Sequence, residues 1–527
     1  MIRLIRSAWR QDRGAALAII ATSLFLLMGI AAISADLAWY YLNASRVQRA
    51  ADAAALAGVV HLPQQPADAD STAFDIANRN GYEHGDLATN TVVTPDDISA
   101  NQLRVHISTD VDTFFAKVLG WDTMTIARSS VAEFIPPLKL GSPENQFGND
   151  CAPEQSGCTG QPNFWANIHG YWTDTRSGDA FSSHCASGEP NDDPGCGGND
   201  WDREYGYLYG IESPAEFTVE FKDLEFRNTS NGPECPGNKQ TNDPFPDGCT
   251  SDWTRTGDRG CETWGVPNSP DCGPTMYVAL YGPDATPLDV SDNDLLCEAT
   301  IPPLPQVAES EPYVWQTPAA IPGVIEESLG SACWTKSGLG TFVLQVMVKD
   351  PDGATNRAGL NRYSVRATPG GLSGANLFAI GDFALYNNVG GSTTKFYLAE
   401  VPAFYNGKTF VVELWDAGDA KGGGTLAVVD PTGDVFNDGE CRISRRPNMD
   451  ADTNWAPIST ISAGSPCQKS ITKDEHNGEW IKYEIDLPAT YSCTFCWWQM
   501  QYNYPGGVND TTTWRAYMIG NPIHIID

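Results

Sequence analysis

The sequence predicts a mainly β protein, in which an N-terminal transmembrane helix and a small α/β segment precede two tandem jelly-roll-like β-sandwiches. Three observations lead to this prediction. Residues 15–35 form an apolar run without a charged side chain. Beyond residue 150, short runs of alternating apolar side chains recur between Gly, Pro, Asn and Asp residues. All 14 cysteines lie between Cys151 and Cys496, as in chains that mature in an oxidising compartment.

The apolar run is long enough to cross a bilayer. At helical rise, residues 15–35 would extend about 31 Å, which matches the hydrocarbon thickness of a membrane. Four arginines precede the run, so the positive-inside rule predicts a cytoplasmic basic tail over residues 1–14 and an extracytoplasmic location for the rest. A signal peptide cut after Ser34 is the alternative. Secretory apolar regions usually have about 7–15 residues, which favours a retained anchor.

The helix is predicted to continue past the membrane to Gly58, because residues 37–57 contain neither Gly nor Pro and are rich in alanine. Its predicted membrane-interface residues are Arg13, Asp36, Trp39, Tyr40 and Tyr41. We interpret Asp36 as an interfacial charge, with a role in subunit registry as the alternative. The far end has small side chains that would let another helix approach closely, although a plain spacer helix is also consistent. The predicted packing positions are Ala51, Ala54, Ala55 and Gly58.

The stretch RGAALAIIATSLFLLMGIAAISADLAWYYLNASRVQRAADAAALAGV, residues 13–59, resembles the N-terminal segment of TadE/TadG-like proteins of Flp (tight adherence) pilus assembly. VQRAADAAALAG is its most specific part. The resemblance continues through ADSTAFDIANRNGY, residues 69–82, which is predicted as a second helix. It then reaches LRVHISTDVDTFFAKVLGWDTMTIARSSVAEF, residues 103–134, predicted as strand, short helix and strand. Residues 36–134 would together form the small extracytoplasmic α/β region.

The resemblance implies a membrane-anchored envelope protein that contributes to assembly or anchoring of an Flp-type pilus. Its implied partners are the membrane and other pilus-assembly or envelope proteins. Pilin-like members of the group carry a glutamate five residues after the glycine at which a prepilin peptidase cuts, whereas this chain has Ile19 there. The chain therefore resembles the larger TadG-like type, which stays anchored.

The remainder of the chain is predicted as a linker over residues 135–150 and a β body. EFTVEFKDLEF from Glu216 and KTFVVELWDAG from Lys408 each place apolar side chains on one face of a strand. Such runs recur in the same order in two halves, which indicates a divergent internal repeat. Two sandwiches over residues 151–370 and 371–527 are the predicted arrangement. One larger sandwich with long loops is the alternative.

Disulfides would stabilise the long loops of this body, each by about 2–4 kcal/mol. Cysteines close in sequence are expected to pair, first Cys151 with Cys158 and Cys185 with Cys196. The candidate disulfide residues are Cys151, Cys158, Cys185, Cys196, Cys235, Cys249, Cys261, Cys272, Cys297, Cys333, Cys441, Cys467, Cys493 and Cys496. The last two form the single CxxC sequence, for which a disulfide is favoured over a zinc or redox site.

Composition and motifs argue against several function classes. The chain has 33 basic and 66 acidic residues, a net charge of −33, which predicts no nucleic-acid partner. It lacks the HExxH, GxSxG and phosphate-loop motifs, so no cofactor or enzymatic activity is predicted, with a secreted hydrolase as the alternative. Calcium is a further possible ligand, because acidic residues cluster on loops beside strands. The calcium candidates are Asp289, Asp292, Asp294, Asp416 and Asp419.

A second hypothesis for function is a glycan-binding or adhesin-like surface protein, with the N-terminal helix as a tether. The chain has 16 tryptophans, whose rings could stack on sugars at the rim of a sandwich. Trp497 and Trp498 are the predicted rim residues. The alternative is that these aromatic rings fill the cores of the sandwiches.

Overall fold

The computed structural model shows one long helix, one shorter helix and 28 β-strands in the part of the chain that it describes. The described residues are 2–62, 66–148, 164–169, 178–180, 206–223, 226–227, 258–259, 275–283, 290–301, 315–321, 325–326, 331–338, 340–348, 360–369, 374–389, 393–417, 423–446, 454–472, 475–505, 508–520 and 522–526. They fall into two compact units, residues 1–136 with 520–527 and residues 137–519. The mainly β fold with a long N-terminal helix is as predicted.

The elements follow in chain order. The helices are α1 (Ile2–Gly58) and α2 (Pro66–Arg79). The strands are β1 (Val92–Ser99), β2 (Gln102–Asp112), β3 (Thr123–Phe134), β4 (Lys139–Leu140), β5 (Gln146–Phe147), β6 (Phe164–His169), β7 (Tyr207–Glu212), β8 (Phe217–Asp223), β9 (Phe226–Arg227), β10 (Asp258–Arg259), β11 (Met276–Tyr281), β12 (Leu295–Ile301), β13 (Ile325–Glu326), β14 (Thr335–Lys336), β15 (Thr341–Val348), β16 (Leu360–Thr368), β17 (Asn376–Ile380), β18 (Asp382–Val389), β19 (Thr393–Glu400), β20 (Thr409–Trp415), β21 (Gly424–Val429), β22 (Cys441–Arg446), β23 (Ala456–Ile461), β24 (Gln468–Ile471), β25 (Trp480–Asp486), β26 (Trp497–Asn503), β27 (Val508–Met518) and β28 (Ile523–Ile525).

Helix α1 is continuous from Ile2 to Gly58, so the apolar run and the alanine-rich run belong to one helix, as predicted. No proline interrupts it. Helix α2 begins with Pro66, a residue whose fixed backbone angle suits the first helical position. The chain leaves α2 through Gly81, whose φ of 90° lies in the left-handed region that glycine adopts at little cost.

Sheet A of the first unit has the antiparallel order β1-β2-β3-β28. The predicted strand, short helix and strand correspond to β2, a 3₁₀ turn at Ala116–Leu119, and β3. Strand β1 was not predicted. Strand β28 comes from the far end of the chain, within the predicted second sandwich, and pairs with the end of β3.

The core of the first unit lies between the two helices and sheet A. Strand β2 alternates buried and more exposed side chains, and Leu103, Val105 and Ile107 are fully buried on its inner face. They pack in one cluster with alanines of α1 and α2. A single amphipathic sheet therefore covers the second half of α1.

The second unit is built from two large, mainly antiparallel sheets. Sheet B has the order β13-β12-β11-β15-β7-β17-β4-β19-β26-β21-β24. Sheet C has the main path β14-β8-β16-β6-β18-β27-β20-β25-β22-β23; β5 and β10 also pair with β16, and β9 pairs in parallel with β10.

The strand pairing repeats in the order that the sequence predicted. In sheet C, β16 lies between β6 and β8, and β27 lies correspondingly between β18 and β20. In sheet B, β15 lies between β7 and β11, and β26 lies between β19 and β21. Each half of the second unit thus contributes three equivalent strands to each sheet.

The arrangement of the two halves differs from two separate sandwiches. Strand β6 of the first half pairs with β18 of the second, and β7 pairs with β17, so both sheets continue across residue 370. The predicted linker also takes part, because β4 pairs with β17 and β19 while β5 pairs with β16. Joining the halves satisfies backbone N–H and C=O groups that separate sandwiches would leave at open edges.

Several tryptophans of the second unit are buried. Among the described residues, the fully buried ones are Trp165, Trp334, Trp480, Trp498 and Trp514. The expectation that Trp498 stands exposed at a rim is wrong: its ring lies against Phe410 and Phe436, with ring centroids 5.2 and 5.3 Å away. Its Nε1–H donates to the Tyr491 hydroxyl at 3.0 Å. Neighbouring Trp497 is partly exposed, because successive strand residues point to opposite faces.

Six cysteines within the described residues form three disulfides: Cys297–Cys333, Cys441–Cys467 and Cys493–Cys496. The second joins the first residue of β22 to the residue before β24, and the third joins the CxxC pair, as favoured from the sequence. The other candidates lie outside the described residues: Cys151, Cys158, Cys185, Cys196, Cys235, Cys249, Cys261 and Cys272.

Burial of Trp498 leads to a stability prediction. Replacing Trp498 with Ala should lower the free energy of unfolding by about 3–5 kcal/mol. The change leaves a cavity between aromatic rings and removes the N–H group that donates to the Tyr491 hydroxyl. Urea denaturation of the full chain in detergent, followed by near-ultraviolet circular dichroism, measures the loss. Trp497→Ala is the matched control and should cost clearly less; equal losses would contradict the assigned burial.

Candidate functional site along the N-terminal helix

Asp36 follows directly on the apolar run, and its side chain is 5% exposed. Its carboxylate accepts hydrogen bonds from the backbone N–H groups of Phe114 at 2.8 Å, Phe115 at 3.0 and 3.2 Å, and Ala116 at 2.6 Å. These amides open the 3₁₀ turn and have no partner inside it, so a carboxylate from a distant segment caps the turn. Interpreting Asp36 as an interfacial charge or a registry group overlooked these contacts within the chain.

The loop that Asp36 holds, residues 114–121, connects β2 to β3. Its base is closed by Thr113, whose N–H donates to the Asp122 carbonyl at 3.0 Å. The Thr113 hydroxyl donates to the Trp121 carbonyl at 2.6 Å. Gly120 ends the 3₁₀ turn with a φ of 88°, a left-handed conformation that favours glycine. These bonds give the 114–121 loop a defined conformation.

The predicted interface aromatics lie just past Asp36. The ring of Trp39 packs edge-to-face on Phe114 of the 114–121 loop, with centroids 5.3 Å apart. The guanidinium of Arg46 lies over the Trp39 ring, 5.9 Å from its centroid. Tyr40 and Tyr41 are edge-to-face neighbours at 5.9 Å. The side chain of the remaining interface candidate, Arg13, lies outside the described part of the structure.

The alanine-rich end of α1 is a packing surface within the chain. Ala51, Ala54 and Ala55 are fully buried in a cluster with Ala69 and Ala73 of α2. Side chains of this size let two helices approach closely. The neighbouring helix predicted from the sequence is therefore supplied by the same molecule, and leucine at these positions would disturb the unit's own core.

Gly58 marks the closest approach. A Cβ at this position would lie 2.5 Å from Cδ2 of Leu103 and 2.8 Å from the backbone oxygen of Ala69. Its backbone is in the ordinary right-handed helical region, with φ −72° and ψ −40°. Glycine is therefore required at this position because a side chain would not fit, and not because of the backbone conformation.

The first half of α1 has the opposite character. It is long and apolar enough to span a membrane, and none of its most apolar window is buried in the described structure. Large side chains such as Leu17, Phe25 and Leu26 are more than half exposed. One helix thus joins an unpacked apolar half to a tightly packed small-residue half.

A polar network lies at the end of β2 that carries the loop. Thr125 of β3 donates its hydroxyl to Oδ1 of Asp110 at 2.6 Å, and Asn90 donates its amide to Oδ2 at 2.9 Å. These hydrogen bonds hold the pKa of Asp110 below its usual range, because they favour the ionised carboxylate. The network ties β3 and the segment before β1 to the end of β2.

The calcium candidates are placed only in part. Among the residues that the structure describes, no group of three or more His, Cys, Asp or Glu residues is arranged to hold a metal ion. Asp416 is fully buried and accepts the Gly478 N–H at 2.7 Å, which holds the turn before β25. Asp292 and Asp294 lie beside β12, while Asp289 and Asp419 are outside the described residues. Calcium binding stays a prediction.

Sequence reasoning missed the contacts and the exposure of the 114–121 loop. The segment TFFAKVLGW is predicted as a short helix between two strands, without the cap that Asp36 supplies and without an exposed apolar surface. Its apolar residues are interrupted by Lys117 and Gly120, so they show neither a helical nor a strand period. Only the adjacent Phe114 and Phe115 signalled an unusual surface, since large apolar side chains are uncommon in a short exposed connection.

Comparison with known proteins agrees with the resemblance found in the sequence. Residues 14–61 match the Tad family, described as TadE/G-like Flp pilus-assembly proteins. The matched segment covers both halves of α1 and the turn that follows it. The suspected TadE/TadG-like N-terminal segment is thus confirmed. No curated protein matches the chain.

The packing around Gly58 predicts whether an alanine there stabilises or destabilises the first unit. In an open helix Gly→Ala stabilises by about 0.5–1 kcal/mol, but Gly58→Ala should destabilise the first unit, because the Ala69 carbonyl cannot yield as a flexible side chain would. Thermal denaturation of the full chain in detergent tests this. The matched control is Gly29→Ala, where nothing lies within 4 Å of the added methyl and no loss is expected. A more stable Gly58→Ala variant would contradict the packing.

Asp36 yields a prediction about local protection. Asp36→Ala should leave three amides without their acceptor and speed their hydrogen exchange by about 10- to 100-fold, which corresponds to about 1–3 kcal/mol. Exchange mass spectrometry of peptides covering residues 112–122 measures the change, and peptides from β20 serve as the internal reference. Unchanged exchange in the loop would show that the cap contributes little.

Proposed function

We propose that the protein is a single-pass, membrane-anchored envelope protein that contributes to assembly or anchoring of an Flp-type pilus without enzymatic activity. The observation that carries the proposal is the position of the Tad match, residues 14–61. Within one continuous helix this segment contains the apolar half that can span a membrane and the small-residue half that organises a folded unit. The matched sequence therefore contains both a membrane anchor and the helix around which the first unit folds.

Retention of the anchor is part of the proposal. Asp36 holds the 114–121 loop from a position two residues after the alternative cleavage site at Ser34. Cleavage there would place this buried carboxylate beside a free, charged amino terminus. The arginines before residue 15 support a cytoplasmic N-terminus, and the disulfides of the body support an oxidising compartment beyond the membrane.

Glycan binding has less support as the main role. Trp498, one of the two tryptophans predicted to lie at a rim, is fully buried in the body. Trp497 is partly exposed and packs edge-to-face on Tyr397, with centroids 6.2 Å apart. Sugar binding stays a prediction for the second unit.

The proposed function predicts a loss of pili. Deleting the coding sequence should abolish Flp-type pili, and the full chain supplied in trans should restore them. The matched control is a form that begins at Asp36 after a cleavable signal peptide. It keeps both folded units but lacks the anchor, and we expect it to be exported without restoring pili.

Electron microscopy of the cells and immunoblotting of membrane and soluble fractions provide the measurements. Normal pili in the deletion strain would contradict a role in assembly. Restoration by the unanchored form would instead contradict the need for a membrane anchor.

A further inference from the structure

The 114–121 loop exposes a contiguous group of large apolar side chains. Their exposed fractions are 50% for Phe114, 51% for Phe115, 83% for Val118, 71% for Leu119 and 68% for Trp121. A folded protein that met only water would rarely concentrate so much apolar surface in eight residues. The bonds at the loop's base and the cap at its 3₁₀ turn hold these side chains in place, so their exposure belongs to the folded conformation.

The position of the loop along α1 indicates what covers it. The capping carboxylate belongs to Asp36, one residue beyond the run that can span a bilayer, which is a rise of about 1.5 Å. Phe114 also contacts Trp39, one helical turn further on. The loop is therefore fixed beside α1 at the level where its apolar run ends.

Exposed apolar side chains also lie on the helix near the loop. Ile33 and Leu37, on either side of Asp36, are more than half exposed, as is Tyr41 one turn later. Trp and Tyr favour the headgroup layer of a bilayer, so this band has the composition of a membrane–water interface. Lys117 is exposed at the centre of the loop, and a lysine has the long aliphatic stem that lets its amine reach lipid phosphate from among apolar neighbours.

We propose that the 114–121 loop is a second membrane-contacting element, which inserts Val118, Leu119 and Trp121 into the bilayer leaflet beside α1. The proposal rests on the proposed anchoring of α1 in the membrane. The occupant of this apolar surface is lipid, because the loop lies beside the end of the apolar run that lipid would surround. Interfacial elements of this kind bury their apolar face about 5–10 Å into the headgroup and acyl boundary.

A second contact changes what the anchor does. A single helix tethers a domain but leaves it free to tilt and rotate about the membrane normal. With the loop inserted, the first unit would touch the bilayer at two places that Asp36 holds together. The unit would then present one fixed side to the membrane and the opposite end of sheet A to other envelope components.

Photocrosslinking of the full chain in phosphatidylcholine vesicles tests the proposal. Benzoylphenylalanine is placed singly at Val118, at Leu26 in the middle of the apolar run, and at Ile98. Ile98 is the control, because it is an apolar residue that is 41% exposed and lies at the opposite end of sheet A from the loop. Mass spectrometry identifies lipid adducts after irradiation.

We expect lipid adducts at positions 118 and 26 and only background at position 98. Adducts at 26 without adducts at 118 would overturn the inference and leave the membrane anchor intact. Failure at both positions would overturn the anchor as well. Adducts at 98 equal to those at 118 would show that contact is not specific to the loop, and would also overturn it.

A second variant tests the role of Asp36. Asp36→Ala should reduce lipid adducts at position 118 several-fold while leaving those at position 26 unchanged, because it releases the loop without altering the apolar run. An unchanged yield at 118 would show that Asp36 does not hold the loop at the membrane.

Discussion

Close packing of the second half of α1 against α2 and sheet A is the constraint on which the first unit depends. A helix buried on several sides must bring its backbone near those of its neighbours, and the small side chains of Ala and Gly leave most of the necessary space. Each buried alanine methyl contributes little by itself, about 0.8 kcal/mol per carbon, but together they let α1 form the centre of a folded unit. The same helix can then leave the unit as a bare apolar segment without a hinge.

Asp36 stands where the two halves of α1 meet, and its chemistry suits that position. A carboxylate would be costly in a purely apolar environment, yet this one is surrounded by three backbone N–H donors. These hydrogen bonds offset the cost of burying the carboxylate. They also cap the 3₁₀ turn, whose first backbone N–H groups have no acceptor within the turn. One side chain thus ends the apolar run and places the 114–121 loop beside it.

The second unit solves a different physical problem. Antiparallel sheets leave unpaired backbone groups at their edges, and two separate sandwiches would expose more of these edges than one shared pair of sheets. Pairing of β6 with β18 joins equivalent strands of the two halves, so the strand order on either side of this junction is mirrored. Trp498 and Trp514 pack between the two sheets, where their rings contact Phe410 and Phe396 of the facing sheet. Burial of such rings explains why the described part of the body exposes few of its aromatic residues.

The sequence by itself determined the local features of this protein. The length of the apolar run, the alanine-rich helix after it, the strands β2 and β3, and the order of the repeated strands all follow from periodicity and propensity, which act between neighbours in the chain. The Tad resemblance was equally local, since it depends on one continuous helix.

Tertiary structure alone decided which surface covers the alanines, which amides Asp36 binds, and that β28 returns to pair with β3. Each of these contacts joins residues far apart in sequence, and the pattern of either segment does not specify its partner. Burial of Trp498 was decided in the same way, because whether a strand's face meets a second sheet or solvent depends on how the sheets stack.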